Sequence, residues 1–141
     1  MFYKPMLLPL LAQVLLTFIV WVYLYITRIS EIKRKNINPQ ALNARKKSQE
    51  LLTDSAGPAN NFMNLLEMPV LFYLAILLSL ILLVQDQVLI ILAWTYVLLR
   101  YVHSSIQCTY NKVMHRFQVY FLSCVVLLLI WLRLATYILF S

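Results

Sequence analysis

Apolar residues in this chain do not alternate strictly with polar ones. They run in four long blocks, from about Met6 to Thr27, Phe62 to Val84, Val88 to Ile106 and Phe117 to Phe140. A bilayer core roughly 30 Å thick takes about 20 apolar residues in helix, so each block predicts one span. The expected fold is an all-α integral membrane protein, four transmembrane helices in an up-down bundle that form one domain over residues 1–141. Without alternation, and with a single glycine in the chain, a β-barrel is disfavoured. The first block is too long for the core of a signal peptide and is followed by a basic flank, so it is expected to remain as a span. Between the first two blocks lies the one sizeable polar segment, 28–59, whose Lys-Arg-Lys, Asn-Pro and Gly-Pro punctuation reads as short helix and turns. Asn60 or Asn61 is placed to cap the second span.

Composition strengthens this reading. The chain is 62% hydrophobic and 12% charged, with a mean hydropathy of +0.78, against about 45–50% and about 25% for soluble domains. Two cysteines are too few for a disulfide framework, and Cys108 and Cys124 read as packing residues. The net charge of +7 is concentrated in two loops. Arg28, Lys33, Arg34, Lys35, Arg45, Lys46 and Lys47 lie between spans one and two, and Lys112 and Arg116 between spans three and four. The turn Gln85-Asp86-Gln87 carries no positive charge. The positive-inside rule makes the two basic loops cytoplasmic and sets both termini on the opposite side. No aromatic residues interleave the basic run, so anionic lipid headgroups rather than nucleic acid are its expected partner. Lys4 and Arg133 are expected to snorkel from the outer span ends. Tyr3, Trp94 and Tyr137 read as interfacial belt.

Polar groups inside spans are costly and therefore informative. Asn60, Asn64 and Glu67 follow one another at i, i+4 and i+7 and share a helix face. Pro69 is expected to kink the helix beside them by freeing the carbonyl of Leu65. Arg100, His103, Gln107 and Asn111 form a second polar face on span three, with Tyr110 at its edge, and His115, Arg116 and Tyr120 a third on span four. Glu67 and Arg100 fall at similar depth, on the order of 10 Å and about 16 Å inside their helices at 1.5 Å per residue. An ion pair is the economical way to hold both. It reads either as a structural tie that sets helix register or as part of a ligand site. The histidines are a weak metal signal, and no soluble-enzyme motif is present.

Three segments carry a further likeness: NNFMNLLEMPVLFY (60–73), RYVHSSIQ (100–107) and NKVMHRFQVY (111–120). With its length and span count, the chain resembles the MAPEG family, the membrane-associated proteins of eicosanoid and glutathione metabolism, and particularly its short bacterial members. The resemblance implies a homotrimer in a bacterial inner membrane, with glutathione bound as co-substrate between adjacent subunits near the cytoplasmic face. It implies a glutathione transferase or peroxidase acting on lipophilic electrophiles or lipid hydroperoxides. Asn64 and Glu67 fall on the family's Arg-x-x-x-Asn-x-x-Glu pattern, and Arg100 and His103 on its Arg-x-x-His. Arg116 falls on the arginine that stabilises the thiolate, Tyr120 on a site-lining tyrosine, and Arg28 on a carboxylate contact from the neighbouring subunit.

Two positions depart from the pattern. Asn60 replaces the family arginine, and an amide cannot form a bidentate charged pair. Gln107 replaces a tyrosine found in some members. These departures keep a second reading open, a non-catalytic trimer that holds lipid or another small anionic ligand. A third reading, a proton-coupled transporter using Glu67, needs close-packing small residues and an acid in span one; glycine is absent from every span and span one has no acid.

Overall fold

The computed structural model describes residues 4–140, which leaves Tyr3 outside the described residues. Helix α1 (Lys4–Arg34) is followed by a 3-10 turn (Pro39–Leu42) and the short α2 (Arg45–Leu51). Then come α3 (Ala56–Leu65), α4 (Pro69–Ile81), α5 (Gln87–Cys108) and α6 (Val113–Phe140). α1, α3 with α4, α5 and α6 are each long and apolar enough to cross a membrane.

Helix α1 runs about two turns beyond the apolar block. Lys33 and Arg34 occupy its last turn, where cations complement the helix dipole. Asn36, at φ 50°, stops it in the left-handed conformation that asparagine tolerates, and the Ile37 N–H donates to the Ile32 carbonyl at 3.1 Å. At the other side of the polar segment, α3 begins at Ala56 after Ser55. Asn60 and Asn61 therefore sit inside α3 rather than capping it, because the buried Glu31 carboxylate accepts the N–H groups of Asp54 and Ser55, each at 2.9 Å.

Pro69 does more than kink the second span. α3 ends at Leu65 and α4 restarts with Pro69 as its first residue, leaving Leu66, Glu67 and Met68 outside both helices. A proline ring cannot donate to a carbonyl four residues back and clashes with it, so the ladder is interrupted there.

Helix α5 is the centre of the bundle. It packs against α1, α3 and α6, and half of its most apolar stretch is buried within the chain, against 28% for α1 and α6. Leu89, Ala93 and Val97 of α5 meet a core that includes Phe72, Ile76, Leu127, Ile130 and Leu134. Phe72 stacks on Tyr96 with ring centroids 4.6 Å apart. Leu11, Leu15 and Phe18 of α1 and Phe121 and Leu128 of α6 point outward, exposed, as lipid-facing side chains do.

At the end opposite the basic loops, Asp86 caps α5 by accepting the Val88 N–H at 2.8 Å, and its second oxygen accepts from Arg133 Nε at 2.6 Å. Arg133 is thus tied to the turn by an ion pair rather than only snorkelling. Gly57 sets the closest approach of α3 to α5: a Cβ there would stand 2.7 Å from the Gln107 carbonyl oxygen.

Candidate functional site

That close approach lets short polar side chains on α3 reach α5 directly. Ser104 Oγ donates to Asn61 Oδ1 at 3.1 Å, and Asn61 Nδ2 donates to Cys108 Sγ at 3.5 Å. One turn deeper, Asn64 Nδ2 donates to Gln107 Oε1 at 3.1 Å. Arg100 Nη2 donates to the Asn64 carbonyl at 3.3 Å. The guanidinium carbon lies 5.4 Å from the Tyr120 ring centroid, a cation–π distance. The His103 and Tyr120 rings are 5.5 Å apart. Asn64, Arg100, His103, Gln107 and Tyr120 therefore form one inner cluster across α3, α5 and α6.

The expected Glu67–Arg100 ion pair is absent. Among the described residues the ion pairs join Arg34 to Asp54, Lys35 to Glu31 and Asp54, and Arg133 to Asp86. The cause is the break at Pro69: it takes Glu67 off the i, i+7 face and leaves it exposed between α3 and α4. It also leaves the Asn64 carbonyl outside the regular helical ladder, where it accepts from the Glu67 N–H at 3.4 Å and from Arg100 as well. Arg100 is 0% exposed, yet its Nε and Nη1 have no partner, and neither does His103 Nδ1. A buried cation with free donors inside a membrane domain calls for an acceptor.

The remaining expected residues are distributed differently. Arg28 and Asn60 line a cavity between α1, α2 and α3, apart from the inner cluster's contacts. Arg116, half-buried in the first turn of α6, donates from Nη1 to Asn111 Oδ1 at 2.7 Å. Asn111 is not on the α5 face with Gln107, because α5 ends at Cys108 and Asn111 lies in the loop at φ 48°. His115 Nδ1 lies 3.2 Å from Tyr110 Oη, both exposed.

Several polar residues escaped the reading by spacing. Asn61 and Ser104 are buried on the α3–α5 contact, and Glu31 is buried beyond the apolar block. Gln13 on α1 is 0% exposed with both amide atoms unpartnered; as the polar amide inside span one, it carried the signal that a search for intramembrane polar groups would have found.

Four membrane-capable helices with α5 at their centre, and an acid-poor polar cluster at the basic-loop end, define a small integral membrane protein with a buried cationic site. A family model, that of the MAPEG family, matches residues 6–136, and the chain belongs to that family. The family includes glutathione transferases and peroxidases as well as non-catalytic members. No curated relative and no solved structure matches the chain.

Proposed function

We propose that this protein is a membrane-bound glutathione transferase or peroxidase that works as a homotrimer on lipophilic electrophiles or lipid hydroperoxides. The observation that supports this most strongly is the fully buried Arg100, whose Nε and Nη1 are free beside the free Nδ1 of His103. Orphaned donors of this kind suit the carboxylates of a small anionic thiol peptide.

In this reading Asn64 and Glu67 hold the peptide's amino and amide groups, and Arg100, His103 and Tyr120 line its pocket. Arg28 and Asn60, which face a different side of the protomer, contribute to the site of the neighbouring subunit. Glutathione supplies the nucleophilic sulfur. A free thiol with pKa near 8.5 is only a few per cent ionised at neutral pH, and a guanidinium within a few ångströms favours the anion. Arg116 is the residue assigned to that task, at the head of α6 where a lipid-dissolved electrophile arrives from the membrane side. Holding both reactants there supplies proximity. In this reading the end of the bundle with the basic loops faces the cytoplasm from a bacterial inner membrane, which the positive-inside rule supports as to side.

The test is glutathione binding to the detergent-solubilised protein, followed by the ultraviolet absorbance of the thiolate. Saturable binding is expected in the parent, with the thiolate signal lost in Arg116→Ala while the oligomer persists. An unchanged thiolate in that variant removes Arg116 from the mechanism. A second reading, a non-catalytic trimer that binds lipid or another small anion, is favoured by Asn60, whose amide brings no charge to a carboxylate. Absence of glutathione binding at millimolar concentration selects it.

A further inference from the structure

Within its apolar block, the buried residues of α1 are Met6, Pro9, Gln13, Leu16, Val20 and Leu24, one stripe along a single face. Gln13 is the one amide in that stripe, about 14 Å into the helix at 1.5 Å per residue. It is 0% exposed, and neither Nε2 nor Oε1 has a partner. Complete burial keeps lipid and a second copy of the chain away from this amide, so whatever satisfies it lies inside the protomer. The neighbouring hydroxyls are committed to backbone: Thr17 Oγ1 donates to the Gln13 carbonyl at 3.2 Å, and Tyr101 Oη to the Ala12 carbonyl at 2.7 Å.

The core on either side of Gln13 shows what it passes. Met6 packs in one cluster with Phe72 of α4, and Leu16 in another with Leu65 of α3. Gln13 lies between them on the stripe and therefore runs past the break between α3 and α4. There the Leu65 carbonyl has lost its helical donor, because residue 69 is a proline. Among the described residues no other backbone N–H replaces it, and Arg100 takes the adjacent Asn64 carbonyl. Leu65 is itself 1% exposed. Backbone groups freed inside a membrane are satisfied by neighbouring side chains or by ordered water.

We propose that Gln13 and the Leu65 carbonyl share an internal water site. The water accepts from Gln13 Nε2, donates to Gln13 Oε1 and donates its second proton to the Leu65 carbonyl. Those are three hydrogen bonds, the usual number for buried water. A glutamine suits the task because its amide offers donor and acceptor side by side. One molecule thus satisfies unmet groups on two helices and ties the broken segment to α1. Leu66, Glu67 and Met68 are then held out of helix at membrane depth. The site uses no donor of Arg100 or His103 and needs no thiol chemistry.

The sign of one substitution separates this site from a dry amide. A dry buried amide is unfavourable, so removing it in Gln13→Leu would raise the melting temperature. With water joining Gln13 to Leu65, the same change strands the carbonyl and lowers it. The experiment uses the full chain in deuterated detergent micelles with isotope-labelled glutamine, and the probe is water itself. Gln13→Leu assigns the Gln13 side-chain signal by its loss. The expected result is cross-relaxation between water and the Gln13 amide protons with the sign of a long-lived bound molecule. The same protons are shielded from a soluble paramagnetic agent, and Gln13→Leu melts at a lower temperature than the parent. Pro69→Ala supplies the missing N–H, so there the water signal weakens and Gln13→Leu lowers the melting temperature less than it does in the parent. No water contact in the parent, a raised melting temperature in Gln13→Leu, or an equal loss in both backgrounds overturns the proposal. If Gln13→Leu does not fold, Gln13→Asn assigns the signal, and the water contact in the parent and its weakening in Pro69→Ala decide.

Discussion

The carboxylate of Glu31, buried on α1, accepts both the backbone N–H of Ser55 at 2.9 Å and its hydroxyl at 2.8 Å. Ser55 immediately precedes α3, so one side chain from the first span satisfies donors at the start of the second. Lys35 Nζ, at 2.5 Å from the same carboxylate, balances its charge. This clamp sets the spacing of α1 and α3, and therefore the walls that carry Arg28 and Asn60.

Removing the clamp leaves the buried N–H and hydroxyl of Ser55, and the part-buried N–H of Asp54, without their acceptor. Glu31→Ala is expected to cost about 3 kcal/mol, and Glu31→Gln less, since its carbonyl oxygen can still accept. Unfolding in mixed micelles measures both; an unchanged midpoint for Glu31→Ala contradicts the clamp.

At Gly57 two effects compete. Alanine in a helix interior is favoured over glycine by about 1 kcal/mol, but the added methyl would stand 2.7 Å from the Gln107 carbonyl, and overpacking typically costs about 1–3 kcal/mol. Backbone cannot yield as a flexible side chain does, so Gly57→Ala is expected to destabilise. A raised melting temperature would mean that α3 and α5 separate freely.

The Asn64–Gln107 hydrogen bond joins α3 to α5 at 3.1 Å. A double-mutant cycle with Asn64→Ala and Gln107→Ala is expected to show a coupling of about 1 kcal/mol. Strict additivity would place the two side chains out of contact.

Glu67 stands exposed in the gap between α3 and α4. Glu67→Gln should therefore shift stability by no more than about 0.5 kcal/mol, while lowering glutathione affinity if the proposed ligand role is correct. A large loss of stability with unchanged affinity would reverse both assignments.

Asp86 gives a pH signature at the other end of the bundle. Partial burial pushes its carboxyl up, but the Arg133 hydrogen bond, the Val88 N–H and the Arg133 charge outweigh burial and hold it below the usual carboxylate range. With a folded pKa below the unfolded value of about 3.9, its contribution is complete above that value and is lost as the pH falls through the folded one. The melting temperature of the parent should drop below about pH 4 more steeply than that of Asp86→Asn. Parallel profiles would show that the pair contributes nothing.

Four apolar blocks, each about long enough to cross a bilayer, determined by themselves the membrane class and the number of spans, because hydrocarbon admits little besides uninterrupted helix; the family likeness came from the polar residues within 60–73, 100–107 and 111–120. The residues of the inner cluster were also legible, since Arg100, His103 and Tyr120 are polar where lipid would otherwise lie. Their partners were not. Spacing along an ideal helix placed Glu67 opposite Arg100, and only the folded chain shows that Pro69 ends the helix first and gives Arg100 a backbone carbonyl. Glu31, Asn61 and Gly57 acquire their roles from α1, α3 and α5 meeting at one end of the bundle. Contacts between segments far apart in sequence depend on how closely backbones approach, and a one-dimensional pattern of polar and apolar positions does not encode that distance.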